Sequence, residues 1–158
     1  MLDFAKVQNL EAEQAVLAAA LNNGKASVAL ATSQLTEGDF VRLAHRKIFK
    51  AMVDLEARGD EVTPVTVADL LSARDELDEA GGFGYLTTVM ENRFAVIGFE
   101  SHVRIVARLG LQRRIAELSE VAAQSSTAPQ EDFEAYLESM SSLAAKVQAL
   151  ANGAKASK

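Results

Sequence analysis

The stretch Gly24-Lys25-Ala26-Ser27 places a lysine after a glycine, as phosphate-binding loops do. Such a loop also needs an earlier glycine and a hydroxyl directly after the lysine, because backbone N–H groups hold the phosphates and the hydroxyl binds Mg²⁺. Ala19 and Ala26 stand at those two positions. Gly82-Phe83-Gly84 lacks the third glycine of the dinucleotide fingerprint and is typical of a turn. Neither motif predicts a nucleotide cofactor.

The chain has two histidines, His45 and His102, on separate predicted helices. A metal site needs several convergent ligands, and neither histidine has a neighbour at the usual ligand spacing. For His45, on the rim of an amphipathic helix, we expect a partly buried ring with a structural hydrogen bond. The carboxylates between Asp75 and Glu79 lie in a solvated turn, without an apolar pocket that would raise a pKa. No catalytic residue, cofactor or metal ligand is predicted, and the chain alone is expected to be non-catalytic.

Four arginines lie close together in the second half of the chain and form a cationic strip in an acidic protein: Arg104, Arg108, Arg113 and Arg114. Arg104 and Arg108 are one helical turn apart. The simplest interpretation is a solvated face that pairs with Glu100, Glu117 and Glu120. The alternative is a docking strip for an acidic partner or a nucleic-acid phosphate.

These arginines belong to a long helical segment. From Asn92 to Gln124 no proline occurs and apolar residues recur every three to four positions, and a second periodic run covers Gln130 to Leu150. Helices of these lengths would extend roughly 50 and 30 Å. That is longer than a domain of this size needs to bury its own core. The pattern predicts an antiparallel helical hairpin over residues 92–151 that contacts another molecule.

The first 91 residues predict a smaller globular unit of five or six helices. Capping residues and apolar spacing predict where these helices lie. Their approximate ranges are Leu10 to Asn23, Ala26 to Ser33, Thr36 to Arg58, Pro64 to Arg74, and Tyr85 to Met90. Residues 152–158 are small and polar and predict a disordered tail. The fold class is therefore all-α, with a globule followed by a hairpin.

The first arm of the hairpin has two apolar sides, which one partner helix cannot cover. We therefore expect self-association, because an exposed apolar stripe of this size is normally a contact surface. The predicted oligomer interface consists of Phe99, Val103, Val106, Tyr136 and Met140.

Bulk composition limits the classes of function. The chain has 158 residues, 49% of them hydrophobic, and a formal net charge of -6. Non-specific nucleic-acid binding relies on clustered cations, so any such contact would be local or indirect. No cysteine, secretory signal or membrane-length apolar run occurs, which favours a cytoplasmic protein without a membrane partner.

Several segments together resemble the N-terminal domain of the DnaB family of replicative DNA helicases. The resemblance covers about residues 8 to 150 and rests on Leu10 to Leu17, Phe40, His45 to Met52, Leu55, Gly59, Val65 to Leu71, Leu77, Gly81-Gly82, Tyr85-Leu86, Ile105-Val106 and Arg113-Arg114. The chain departs from the family pattern at Ala18, usually glycine, at Thr63, commonly aspartate, and at His102, more often tyrosine. None of these changes removes a chemical group that the domain is known to need.

The resemblance implies a collar domain, six copies of which lie above the helicase ring as a trimer of dimers. It also implies that primase and helicase loaders dock there, while ATP hydrolysis belongs to a separate C-terminal motor. Two alternatives remain: a free-standing adaptor, loader or inhibitor that binds a host helicase, from a phage or mobile element, and a small nucleic-acid binder that uses the four arginines.

Overall fold

The computed structural model describes residues 7–127 and 131–156, except for the side chains at 93, 94, 155 and 156. Within these ranges the chain is helical and contains no strand, and none of its helices is long and apolar enough to cross a membrane. The helices are α1 (Leu10–Asn23), α2 (Lys25–Gln34), α3 (Leu43–Arg58), α4 (Pro64–Ala73), α5 (Gly82–Glu91), α6 (Phe99–Thr127) and α7 (Phe133–Ala156), with 3₁₀ turns at Glu37–Asp39 and Arg93–Val96. The predicted all-α fold, a globule followed by a hairpin, is confirmed.

Capping residues determine several helix ends as the sequence predicts. Asn9 caps α1, since its side-chain oxygen accepts a hydrogen bond from the backbone N–H of Ala12 at 2.9 Å. Thr63 caps α4 through the N–H of Thr66, and Pro64 occupies the first turn, where its missing N–H costs nothing. Gly59 ends α3 in the left-handed conformation, at φ 79°.

The helix predicted from Thr36 to Arg58 is divided in two. The Asp39 carboxylate accepts a hydrogen bond from the Thr36 backbone N–H at 2.8 Å, which closes a capping box around the first 3₁₀ turn. Phe40 then adopts an extended backbone, and α3 begins only at Leu43. Helical spacing alone did not reveal this break, because Phe40 is buried in the core like the helical residues after it.

The hairpin boundaries also differ from the prediction. Gly98 takes a positive φ of 76°, which separates the second 3₁₀ turn from α6, so α6 begins at Phe99 rather than near Asn92. At the other end α7 continues to Ala156. Helix α7 thus includes the first residues of the segment 152–158, for which the sequence predicts a disordered tail. The last two residues of that segment, like Gln130, lie outside the described part of the chain.

The chain divides into two compact units, and the division lies after Gly110, whereas the sequence predicts a boundary at residue 91. One unit is Gln8–Gly110, and the other comprises Val7 and the described residues from Leu111 onward. The first unit extends past residue 91 because the first turns of α6 supply Val103 and Val106 to its core, where both are almost fully buried. Helix α6 thus contributes to both units.

Helix α1 lies at the centre of the globular unit. Nearly all of its residues from Ala12 to Leu21 are buried, including both sides of the helix, as expected for a helix surrounded by others. It contacts α2, α3, α5 and the second 3₁₀ turn. Leu10, at the first position of the helix, is 42% exposed. The Phe40 and Phe49 rings pack with their centroids 4.8 Å apart and extend this core.

An ion pair links α3 to the acidic turn after α4. The Lys47 ammonium contacts the Glu76 carboxylate and lies 3.1 Å from that of Glu79. The hydrogen bonds raise the pKa of Lys47 and lower that of Glu76. The turn that the sequence predicts to be solvated therefore contributes two carboxylates to this contact.

Gly110 sits where α6 crosses the first 3₁₀ turn. A Cβ at this position would lie 2.9 Å from the backbone Cα of Asp39 and would also meet its carboxylate. Asp39 is itself buried, so the two segments approach more closely than any side chain on Gly110 would permit. Glycine in a helix interior is unfavourable by about 1 kcal/mol relative to alanine. The close packing against Asp39 explains why a glycine occupies position 110.

We expect Gly110→Ala to lower the free energy of unfolding by about 1–3 kcal/mol, because a well-packed site must expand to hold the methyl group. Gly84→Ala is the matched control, since a Cβ there would meet nothing within 4 Å. The control should be neutral or gain up to about 1 kcal/mol of helix propensity. Urea unfolding followed by circular dichroism measures both. Equal stability of the two variants would contradict this packing.

Candidate functional site

The hairpin unit exposes its apolar residues. Among the side chains described from residue 111 onward, no apolar one is fully buried. Phe133 is 61% exposed, Val121 48% and Leu137 46%. A soluble monomer rarely leaves a run of apolar residues partly exposed in this way unless another surface covers it. This unit is therefore a candidate contact surface.

Tyr136 and Met140 lie one turn apart on α7, and both are half-buried. The Tyr136 hydroxyl is 2.8 Å from the Ser126 hydroxyl of α6, so this hydrogen bond joins the two arms of the hairpin. The Tyr136 ring also packs against Phe133, with centroids 5.8 Å apart. The role of Tyr136 and Met140 in an oligomer interface stays a prediction.

For the other three predicted interface residues, the structure corrects the prediction. Phe99, Val103 and Val106 are each at least nine-tenths buried within the globular unit of the single chain. They recur at helical spacing along α6 and so share one face, which the globule covers. They cannot also form a contact surface between chains without unfolding that core.

The four arginines do not form one free strip. Arg104 is 67% exposed, with its guanidinium 3.9 Å from the Glu100 carboxylate, and Arg108 is exposed as well. Arg113 is buried, and its guanidinium donates a hydrogen bond to the Val7 carbonyl at 2.7 Å. Arg114 is half-buried. The prediction of a docking role is therefore wrong for Arg113, which holds its own unit together.

The globular unit contains a buried polar network that joins three helices. The Glu13 carboxylate of α1 accepts a hydrogen bond from the Val41 backbone N–H at 2.8 Å and lies 2.7 Å from Nδ1 of His45 on α3. Nε2 of His45 lies 2.7 Å from the Tyr85 hydroxyl of α5. Glu13 and His45 are 2% and 1% exposed. Buried polar groups must find partners inside the protein, and these three satisfy one another.

The Tyr85 end of this network reaches the surface. Arg42 donates a hydrogen bond to the Tyr85 hydroxyl at 3.0 Å, and its guanidinium lies over the Tyr85 ring, 4.5 Å from the centroid. Burial raises the pKa of Tyr85, although the nearby Arg42 charge opposes this shift. The Tyr85 hydroxyl has one donor and two acceptor lone pairs, so it can hydrogen-bond Nε2 of His45 and accept from Arg42 at the same time.

Sequence reasoning identified only part of this network. A structural hydrogen bond from His45 was expected and is confirmed, but the ring is fully buried rather than at a helix rim. The burial of Glu13 was not predicted from the sequence. A signal existed, since Glu13 stands four residues before Leu17 and therefore on the same buried face.

An unpartnered ring nitrogen occurs elsewhere in the globular unit. Nδ1 of His102 is buried without a hydrogen-bond partner among the described residues. The ring lines a cavity of about 330 Å³ with Asn9, Glu11 and Asn92. No group of metal-binding residues was found in the part of the chain that the structure describes.

We expect Glu13→Ala to lower the free energy of unfolding by about 2–4 kcal/mol, because it leaves the Val41 N–H and His45 buried without their acceptor. Glu11→Ala is the matched control, since Glu11 lies in the same helical turn but is exposed. It should lose at most about 1 kcal/mol of interaction with the helix dipole. Thermal and urea unfolding test the difference, and similar losses in the two variants would show that the buried network contributes little.

Comparison with known proteins identifies the fold and the family. The family model described as "DnaB-like helicase N terminal domain" matches residues 5–108. The replicative DNA helicase DnaC of Bacillus subtilis is 36% identical over 130 residues, which are 82% of this chain and 28% of that protein. The replicative DNA helicase DnaB of Geobacillus stearothermophilus is 35% identical over 131 residues, 83% of this chain and 29% of that protein. The chain thus spans less than a third of the length of these relatives.

Solved structures also show the similarity of this chain to DnaB N-terminal domains. The crystal structure of the N-terminal domain of DnaB helicase from Mycobacterium tuberculosis aligns with a TM-score of 0.79 at 33% identity, and covers 89% of this chain and 96% of that one. A DnaB-like replicative helicase, whose structure is described together with its interactions with primase, aligns over 89% of this chain and 31% of that one, with a TM-score of 0.67. At 22% identity, this second likeness shows the fold alone. The matched region is a non-catalytic domain, and the chain belongs to the family of DnaB-like helicase N-terminal domains.

Proposed function

We propose that this chain is the collar domain of a DnaB-like replicative DNA helicase and acts in the cytoplasm during DNA replication. In this proposal it joins helicase subunits and recruits primase or a helicase loader, while a separate motor domain carries out ATP-dependent unwinding. The chain itself contributes contact surfaces rather than catalysis. The observation that supports this most directly is the partial exposure of every described apolar side chain on the hairpin unit.

A second copy of the chain is the partner that fits this exposure best. On α7, Tyr136, Met140, Leu143 and Val147 recur every three or four residues and are half-buried, as expected for one side of a helix–helix seam. A specific pairing needs about 1,000 Å² or more of buried surface, which the two long arms can provide. Pairs of chains could then assemble further into a trimer of dimers, that is, a hexamer.

We expect Met140→Glu to shift the oligomer towards monomer, because a charge at this position would be buried without a partner. Ser139→Glu is the matched control, since Ser139 is the exposed neighbour on the same helix. Light scattering over a range of protein concentrations measures the mass of both variants. A wild-type chain that remains monomeric at all concentrations would contradict the proposed self-association.

Primase is the proposed partner because a helicase with the same fold has been described in its interactions with primase. Of the predicted docking residues, Arg104 and Arg108 are the two that are exposed, and they remain proposed contacts. A loader protein with an acidic surface would contact the same two arginines, since each is an exposed cation.

We expect the cognate primase to co-elute with the wild-type chain in size-exclusion chromatography. The double variant Arg104→Gln, Arg108→Gln should bind it several-fold more weakly, with a reduced salt dependence, because two charge contacts are lost. Lys146→Gln, an exposed cation on α7, is the control for a general loss of charge. Absence of any primase complex with the wild type would remove the recruiting part of the proposal.

A further inference from the structure

A surface cavity of about 450 Å³ is lined by the first turns of two helices, α2 and α6. Its volume is within the range of small-molecule sites, which is about 300–1,000 Å³. All of its lining residues belong to the globular unit. We call it the α2–α6 cavity. The lining side chains that decide its chemistry are Ser27, Leu30, Val96, Phe99, Glu100 and Arg104.

Both helices meet the cavity at their N-terminal ends, where backbone N–H groups have no partner within the helix. Helix α2 has no side-chain cap at Gly24, which leaves the N–H groups of Lys25 and Ala26 without a capping acceptor. In α6 the first hydrogen bond runs from the His102 N–H to the Gly98 carbonyl at 3.0 Å, so the N–H groups of the three residues between them precede it. Open N–H groups and the positive end of a helix dipole both favour a bound anion.

Ser27 supplies a donor that its own protein does not use. It is 6% exposed, and its hydroxyl has no hydrogen-bond partner among the residues that the structure describes. Ser27 and Leu30 are three residues apart, so they share the side of α2 that lines the cavity. The one unpartnered side-chain nitrogen or oxygen that is fully enclosed in the described residues is Nδ1 of His102, so the Ser27 oxygen stays accessible. Because buried hydroxyls are normally hydrogen-bonded, this one points to an acceptor in the cavity.

Two charged side chains of α6 border the same cavity. Arg104 is 67% exposed and donates to the Ser101 hydroxyl at 3.0 Å, which leaves further guanidinium N–H groups as donors. The Glu100 carboxylate lies 3.9 Å from the Arg104 guanidinium and opposes an anion. These two charges offset each other, whereas each helix end acts as about half a positive charge. The cavity therefore keeps a positive potential.

Part of the cavity is apolar. Leu30 and Phe99 line it, and Val96 is 36% exposed there. An inorganic anion would leave these side chains uncovered, while an anion attached to an apolar body would contact both parts. Donors reach the charged part from two helices and two side chains, which suits the three terminal oxygens of a phosphate better than the two oxygens of a planar carboxylate.

We propose that the α2–α6 cavity binds a small phosphomonoester that carries an apolar body. Its phosphate accepts hydrogen bonds from the two helix ends, Ser27 and Arg104, and its apolar body covers Leu30 and Val96. The site differs from a nucleotide-binding loop, because its donors come from two helices rather than from one glycine-rich turn. This inference goes beyond the recruiting function, since it assigns a small-molecule site to the globular unit.

The test is an NMR titration of the 158-residue chain with phenyl phosphate, followed through the backbone amide signals. We expect saturable shifts of the amides at Ala26 and at residues 99–101. Ser27→Ala should bind about fivefold more weakly, because one hydrogen bond is lost. Arg104→Gln should bind about tenfold more weakly, because a charge-assisted hydrogen bond is lost. Glu100→Gln should bind more tightly, since it removes the opposing charge.

Two control variants match these changes. Ser33→Ala removes an exposed hydroxyl from the same helix as Ser27, and Arg108→Gln removes an exposed arginine one turn beyond Arg104. Neither residue lines the cavity, so both variants should bind phenyl phosphate like the wild type. Circular dichroism checks that every variant is folded. Arg104 and Glu100 are exposed, so their variants keep the test decisive even if Ser27→Ala loses structure.

The inference is overturned if millimolar phenyl phosphate causes no saturable shift of these amides, or if the first amides of α3 and α4 shift with the same affinity. Benzoate binding as tightly would overturn the choice of a phosphate, and inorganic phosphate binding as tightly would overturn the apolar body. Unchanged binding in both Arg104→Gln and Glu100→Gln would also contradict the site. The titration contains no primase, so its result is separate from the presence or absence of a primase complex.

Discussion

The buried carboxylate of Glu13 is the constraint around which the globular unit is organised. It lies on the central helix α1, where most other positions are apolar, and it accepts hydrogen bonds from the segment before α3 and from His45. Through His45 the same network reaches Tyr85 on α5. An apolar core of Ala, Val and Leu could pack α1 in several rotational settings of similar energy. A single buried carboxylate with fixed partners favours one of them, because every other setting would leave it unsatisfied.

This network also links a buried carboxylate to the position of a side chain on the surface. Arg42 is held by the hydroxyl and ring of Tyr85, and Tyr85 is held by His45. The position of one exposed cation therefore depends on a carboxylate in the core. Elsewhere on α3, Lys47 forms ion pairs with Glu76 and Glu79.

Apolar residues of α6 and α7 show why an apolar pattern does not by itself identify an interface. Phe99, Val103 and Val106 have the same spacing and chemistry as Tyr136, Met140 and Leu143. The first three are buried by the globule of their own chain, while the others stay half-buried in the hairpin unit. The helical period gives the direction in which side chains point, and only the surrounding helices decide what covers them.

The amino-acid sequence by itself determined the helical class, the caps at Asn9 and Thr63, the stop at Gly59 and the family resemblance, because these depend on local backbone chemistry and on the order of short segments. It also indicated that His45 makes a structural hydrogen bond. Only the tertiary structure decided that Glu13 is buried, that Gly110 is needed beside Asp39, and that Arg113 is enclosed while Arg42 is exposed. Each of these outcomes is a contact between residues far apart in the chain. Periodicity carries no information about such distances, since it describes one helix at a time.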